Sequence, residues 1–301
     1  MKRIYGWLML DFLLQLFGLF LLLVGLAIGY RLWIRPHNDI LNFQSRGLLL
    51  LILLTLMGGF VGSPFWWGDE ARSFSWNTPA LVSRMLASAG WSFVVVSFLA
   101  LRRPSHRRLR LVLILLFVYL FPLTIAILLF HLDRFDFSAP ITYAFFAIVI
   151  LMDIASLWYL IRQPTILPDE SQDTELTSRI LRLWMVFVAV LLGLWGLALF
   201  VTNTGPIKAV WVWKYDVLST RLIGVMLLAI AAGLVYSLRQ RDVAQVMLAT
   251  TVTYGLGISA ASLWNLVTGR SLPVSYLVTF AVVSLVSILF LLANRGKVPI
   301  L

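Results

Sequence analysis

Long apolar runs, broken by short polar segments, follow one another along the whole chain. Leu48–Val61 and Leu111–Phe130 are examples with almost no polar side chain. A helix rising about 1.5 Å per residue needs about 20 apolar residues to cross a hydrocarbon core about 30 Å thick. Membrane β-strands would instead alternate apolar and polar positions over about 10 residues. Continuous runs exclude that alternation, and in lipid only a helix satisfies its own backbone within one segment. The pattern therefore predicts an all-α integral membrane protein with nine spans. They lie at about 8–30, 47–63, 79–100, 111–131, 140–161, 181–202, 217–238, 243–266 and 273–293. The connections between them are short, so any chemistry lies in the membrane or on a few loops.

Composition agrees with this pattern. The 301 residues are 61% hydrophobic and 12% charged, against about 45–50% and about 25% in a soluble domain. No soluble fold could bury so much apolar surface, so lipid is the first partner. There is no cysteine, which excludes disulfides, thiolate catalysis and thiolate metal sites. The net charge of +11 would suggest nucleic acid in a soluble protein. Here it is read as Lys and Arg flanking helices on the cytoplasmic side. The densest cluster, Arg102, Arg103, Arg107, Arg108 and Arg110, falls between the third and fourth spans. With that connection inside, most of the 24 Lys and Arg are cytoplasmic. The expected topology is N-terminus out and C-terminus in, with a bacterial inner membrane as the expected location. Lys2 and Arg3 oppose it, which makes the first helix the weakest part of the topology; lying at the interface is its alternative. Its apolar run is too long for a signal peptide, so it is read as a retained helix.

An internal repeat emerges at an offset of 137. Trp76 then meets Trp213, Leu81 meets Leu218, Arg84 meets Arg221, and Leu101-Arg102 meets Leu238-Arg239. After a gap of four, Pro140 and Tyr143 meet Pro273 and Tyr276. The organisation expected is an N-terminal helix and connection (1–44), a four-helix repeat (45–162), an acidic, proline-punctuated cytoplasmic linker (163–178) and a second four-helix repeat (179–301). Four helices per repeat keep both repeats in one orientation, so the duplication is parallel, about an axis along the membrane normal. The stretch Trp211-Val-Trp213-Lys-Tyr-Asp-Val-Leu218-Ser-Thr220-Arg221 resembles a Trp-x-Trp…Leu-x-x-Arg element of uncharacterised bacterial multi-pass membrane proteins. Those often carry proline between the tryptophans, where this chain has Val212. The resemblance covers about a dozen residues and implies no activity.

Arg84 and Arg221 are the most informative pair. Both fall in the second turn of a helix, where a cation opposes the macrodipole by about 0.3–1 kcal/mol. Thr78-Pro79 supplies a cap and first residue for one of these helices, Asp216 a cap for the other. Burial in lipid costs more, about 2.5–3.5 kcal/mol at the bilayer centre. Each arginine therefore needs an anionic partner or must snorkel outward. Two readings are open: paired sites for an anion or lipid phosphate, or structural salt bridges to Asp69, Glu70, Asp133, Asp136 or Asp216. Trp76 and Trp213 stand beside them, as an interfacial aromatic belt or as walls of an amphipathic ligand site. Asp153 lies about 12 Å deep in the fifth span, as a proton or cation carrier or as the partner of Arg162 or another helix. Thr251, Gly255, Gly257, Ser259 and Ser262 mark a packing face of the eighth span.

No cofactor or metal is expected: the three histidines, His37, His106 and His131, do not face one another for haem, and no metal-ligand cluster is present in the sequence. Catalytic motifs are missing as well. The leading expectation is a non-enzymatic protein that transports or binds an amphipathic or anionic ligand or lipid. A scaffold or accessory subunit, partnered by other membrane subunits, is the alternative. An enzyme acting on lipid head groups through Arg84, His131, Asp133 and Asp136 is the third reading.

Overall fold

The computed structural model describes residues 2–68, 78–135, 137, 138, 140–164, 177–212 and 217–293. Among the described residues all regular structure is helical. The long helices are α1 (Lys2–Gly29), α2 (Phe43–Trp67), α3 (Ala80–Arg102), α4 (His106–Phe130), α5 (Pro140–Ile161), α6 (Arg179–Val201), α7 (Val217–Ser237), α8 (Arg241–Val267) and α9 (Val274–Ala293). Nine helices among the described residues are long and apolar enough to cross a membrane.

The expected spans are all found, and the differences lie at their ends. Two helices start earlier than hydropathy suggests because polar caps satisfy their first N–H groups. Asn42 Oδ1 accepts from Ser45 N–H at 2.8 Å and starts α2. Ser105 Oγ accepts from Arg108 N–H at 3.2 Å and starts α4. Arg107, Arg108 and Arg110 therefore belong to the first turns of α4 rather than to a connection. At α3 the expected Thr78 cap is replaced by Pro79, which takes the cap position with no side-chain hydrogen bond. Beyond Gly29 the backbone passes through a π-helical turn (Tyr30–Ile34) and a 3-10 turn carrying Pro36. The central part of the 163–178 linker, and Asp216, lie outside the described residues.

α1 runs antiparallel along α2: Gly18 faces Val61 and Phe65, Gly25 faces Met57, and Gly29 faces Leu53. The other eight helices pack in a pattern that recurs. α2 lies along α3 as α6 lies along α7, and α4 pairs with α5 as α8 does with α9. α3 packs on α8, and α4 on α7. α3 and α7, the most enclosed, form the centre with α4 and α8, while α5, α6 and α9 leave most of their surface facing outward. Exchanging α2–α5 for α6–α9 maps each of these pairs onto another.

Lipid tails are as apolar as leucine, so close packing and hydrogen bonds must hold such helices together. Small residues allow the approach. A Cβ on Gly59 of α2 would lie 2.6 Å from the Gly90 carbonyl oxygen of α3. A Cβ on Gly196 of α6 would lie 2.7 Å from the Gly224 carbonyl oxygen of α7. Gly59 and Gly196 are separated by the same 137 positions as Arg84 and Arg221. On α8, Gly257 sits against Ser88 of α3 and Gly255 against Ser284 of α9, so the expected small-residue face is a packing face.

One ion pair ties the centre together. Buried Arg108, in the first turn of α4, grips Asp242 in the first turn of α8 through two nitrogens, Nε donating at 2.7 Å. Its Nη1 donates to the Leu99 carbonyl at 3.1 Å, adding the end of α3. The face carrying this pair and the α3–α4 connection is called the basic face below.

Gly59→Ala and Gly196→Ala should each lower stability by about 1–3 kcal/mol, the usual cost of overpacking. Gly58→Ala should not, because a Cβ there meets nothing; thermal unfolding in mild detergent reads both. Asp242→Asn should cost about 3 kcal/mol by leaving the buried Arg108 charge without its partner, and the double variant Arg108→Leu/Asp242→Leu should regain most of that loss. An Asp242→Asn variant as stable as wild type would show that the pair holds nothing.

Candidate functional site

Arg221 lies half-buried in the second turn of α7, at the end of the molecule opposite the basic face. Its Nε donates to the Phe200 carbonyl, in the last turn of α6, at 3.2 Å. Its Nη1 stands 2.7 Å from Nε2 of His131, just beyond the last turn of α4. A guanidinium only donates, so Nε2 of His131 is the acceptor and the imidazole carries its proton on Nδ1. The Phe130 ring lies 4.9 Å beneath the guanidinium and the Phe200 ring 6.0 Å away. The N-terminus of α7 opposes this cation, but the C-terminal ends of α4 and α6 present partial negative charge to it. Every one of these contacts is to a neutral group. Among the described residues no carboxylate pairs with Arg221. Asp133, one of the expected partners, is exposed and stands 3.9 Å from Arg134. Asp69, Glu70, Asp136 and Asp216 lie outside the described residues, as do Trp76 and Trp213.

Arg84 occupies the corresponding turn of α3 and is buried, its guanidinium over the Trp264 ring at 5.7 Å. Trp264 closes α8 as His131 closes α4. The two are 133 positions apart, the separation of Pro140 and Pro273. Each arginine thus meets the end of a helix from the other set of four. They occupy corresponding places but do not form one site. Of the head-group constellation, Asp136 lies outside the described residues; Nε2 of His131 meets Arg221, and the Arg84 guanidinium lies over Trp264.

An apolar cavity of about 220 Å³ lies next to the Arg221 site, enclosed by α2, α3, α4 and α5, with Leu222 of α7 at its margin. Leu120, Leu123 and Ile127 of α4 line it. Their spacing is that of one helix face, and His131 is the next residue on it. Leu222 adjoins Arg221 in sequence. The arginine–histidine pair therefore lies about one helical turn beyond Ile127, on the side away from the basic face, and is not itself part of the cavity lining. On the α2 side the wall is made by Gly58, Gly59 and Gly62 with Ser63 and Trp66, and Gly90 of α3 stands opposite. Gly58 is exposed, and α2 and α5 barely touch, so the cavity opens sideways between them.

Asp153 belongs to the face of α5 that carries Val149, a cavity-lining residue one turn away. Its Oδ2 accepts from Thr124 Oγ1 at 2.6 Å, and its buried Oδ1 has no hydrogen-bond partner. Thr124 also donates to the Leu120 carbonyl at 2.9 Å. The expected pairing with Arg162 does not form; that guanidinium stacks over Trp158 at 5.0 Å.

The sequence singled out Arg221 and Asp153, named His131 only as a lone histidine or as part of a head-group constellation, and did not single out the glycines of α2. The signal for His131 was present: the gap of four that aligns Pro140 with Pro273 also aligns His131 with Trp264.

Taken together, nine apolar helices and their lipid-facing surfaces make this an all-helical, multi-pass integral membrane protein. No protein-family model, curated protein or solved structure matches the chain.

The Asp153 carboxylate contributes little to stability on this geometry, because Thr124 keeps the Leu120 carbonyl without it. Asp153→Leu should leave stability within about 1 kcal/mol of wild type or raise it. A large loss on thermal unfolding would mean that the carboxylate is a structural tie between α4 and α5.

Proposed function

We propose that the protein binds an anionic amphiphile, with the head group at Arg221 and His131 and the chain in the adjoining cavity. The observation that carries this reading is a membrane arginine whose contacts among the described residues are all neutral, next in sequence to Leu222 of an apolar cavity. A cation so placed is stabilised by an anion, and a guanidinium fork suits the oxygens of a phosphate or carboxylate. An anionic head joined to an alkyl chain satisfies both parts of the site at once. Such a molecule reaches the cavity from the surrounding lipid through the gap between α2 and α5, and Asp153 stands within reach of that path. Transport and simple binding are both served by this arrangement.

The same reading includes a parallel duplication of α2–α5 as α6–α9. Its support is the recurring neighbour pattern, the matched glycine crossings at Gly59 and Gly196, and the matched arginine contacts. The positive-inside rule would put the basic face in the cytoplasm and the Arg221 site toward the outer leaflet of a bacterial inner membrane.

Three ligands separate the parts: hexadecyl phosphate has head and chain, ethyl phosphate the head alone, and hexadecanol the chain alone. Native mass spectrometry of the purified protein should show hexadecyl phosphate retained over both others. Arg221→Gln should weaken its binding about 10- to 100-fold, the value of a hydrogen bond to a charged group, and leave hexadecanol unaffected. Equal binding by Arg221→Gln would overturn the proposal. So would stoichiometric co-purification with other membrane subunits and no bound amphiphile, which would favour an accessory subunit.

A further inference from the structure

Between α2 and α6 the two sets of four helices differ in volume. Applying the 137 offset to α2, Gly58 corresponds to Trp195 of α6, and Gly62 to Leu199. A Cβ at Gly58 or at Gly62 would meet nothing within 4 Å. In the second set the same positions are filled. Leu199 is fully buried. The Trp195 ring stands edge-on to Tyr276, centroids 4.9 Å apart, and its Nε1–H donates to the Tyr276 hydroxyl at 3.2 Å. Phe280 and Tyr254 complete a closed aromatic cluster, their rings 5.6 Å apart and edge-to-face.

The matched tyrosines report the same contrast. Tyr276 is fully buried and donates onward to the Val210 carbonyl at 2.9 Å, whereas Tyr143, its counterpart on α5, is 60% exposed. A tyrosine facing Trp195 has a ring to pack on and a donor to accept from. Tyr143 has no tryptophan at position 58 to accept from, and its ring meets Phe137 instead, centroids 6.1 Å apart.

We infer that the first set alone is hollowed to hold one alkyl chain, and that Gly58 and Gly62 are the residues that select it. This rests on the amphiphile reading above and names which part of the molecule takes the chain. An apolar void forfeits dispersion contacts on its empty side, and the medium around this one consists of alkyl chains. A cavity of about 150 Å³ already admits benzene, so 220 Å³ accommodates a chain segment. From Ile127 to Tyr119 it extends about 12 Å along α4. The charge of Arg221 selects among chains by their head groups. Moving a chain from lipid into the cavity gains little hydrophobic free energy, because both surroundings are equally apolar. The glycines therefore decide where the chain lies more than how tightly the molecule binds.

The test is a location experiment. The full-length protein in lipid nanodiscs is irradiated with a hexadecyl phosphate that carries a diazirine midway along its chain, and labelled peptides are mapped by mass spectrometry. Wild type should be labelled on the cavity-lining segments of α2 and α4, and not on the corresponding segments of α6 and α8. Gly58→Leu and Gly62→Leu should each lose the cavity label yet still retain hexadecyl phosphate through Arg221. Both should fold, since the second set accommodates larger side chains at the matched positions, and an unchanged thermal midpoint verifies this. Equal labelling of both sets, or a cavity label that persists in the folded glycine variants, overturns the inference and leaves the head-group reading intact. A cavity label that persists in Arg221→Gln overturns the head-group reading instead and leaves the hollow standing.

Discussion

Gly59 of α2 against the Gly90 carbonyl, and Gly196 of α6 against the Gly224 carbonyl, set the distances on which the other contacts depend. In lipid there is little hydrophobic drive to press one helix on another. Two helices gain by touching only if they approach closely enough for many atoms to meet. At both crossings the hydrogen of a glycine faces a backbone oxygen, a spacing that no larger side chain permits. Once α2 lies on α3 and α6 on α7, the inner helices are placed for α3 to meet α8 and for α4 to meet α7. Arg108 and Asp242 then close the centre from the basic face, where water solvates the rim of the pair.

The cations follow from the same economy of contacts. Arg108 finds a carboxylate and a helix-end carbonyl. Among the described residues Arg221 meets only dipoles, rings and an imidazole. Its own helix presents the unfavourable N-terminal end, and the ends of α4 and α6 compensate for it. Such a cation is held in place without being neutralised. Arg84, in the corresponding turn of the first set, is more deeply buried, and the Trp264 ring lies against its guanidinium. An indole in place of an imidazole changes an accepting nitrogen into a donor, which is why Trp264 can only lie beneath its arginine while His131 can accept from one.

The spans were legible because hydropathy is a property of a long window, insensitive to any one residue. Their ends were not, because caps such as Asn42 and Ser105 carry charged residues like Arg107 and Arg108 into the helix. Part of the candidate site was legible for a simpler reason: an arginine or aspartate inside an apolar run stands out in composition. His131 did not, since a lone histidine at a helix end looks ordinary until Arg221 is brought to it across 90 positions. Of the two partners open to Asp153, Arg162 or another helix, it is the other helix that supplies one, through Thr124 of α4. Arg162 lies near it along the chain but two turns along the helix, and its guanidinium has an aromatic ring closer at hand. Side-chain pairing depends on which faces meet, and that is information from other helices.

The glycine wall shows most clearly what a single chain conceals. Read alone, Gly58, Gly59 and Gly62 look like one small-residue packing face, and Gly59 is one. Gly58 and Gly62 are not, because nothing packs on them. The distinction appears only when α2 is set beside α6, where Gly59 matches a glycine and its neighbours match Trp195 and Leu199. Two sets of helices that pack alike supply a control: positions alike in both sets answer to the shared packing, and positions that differ in volume do not. By that criterion the crossing glycines belong to assembly. The absence of a tryptophan at Gly58 leaves α2 lining the cavity where α6 packs against Tyr276.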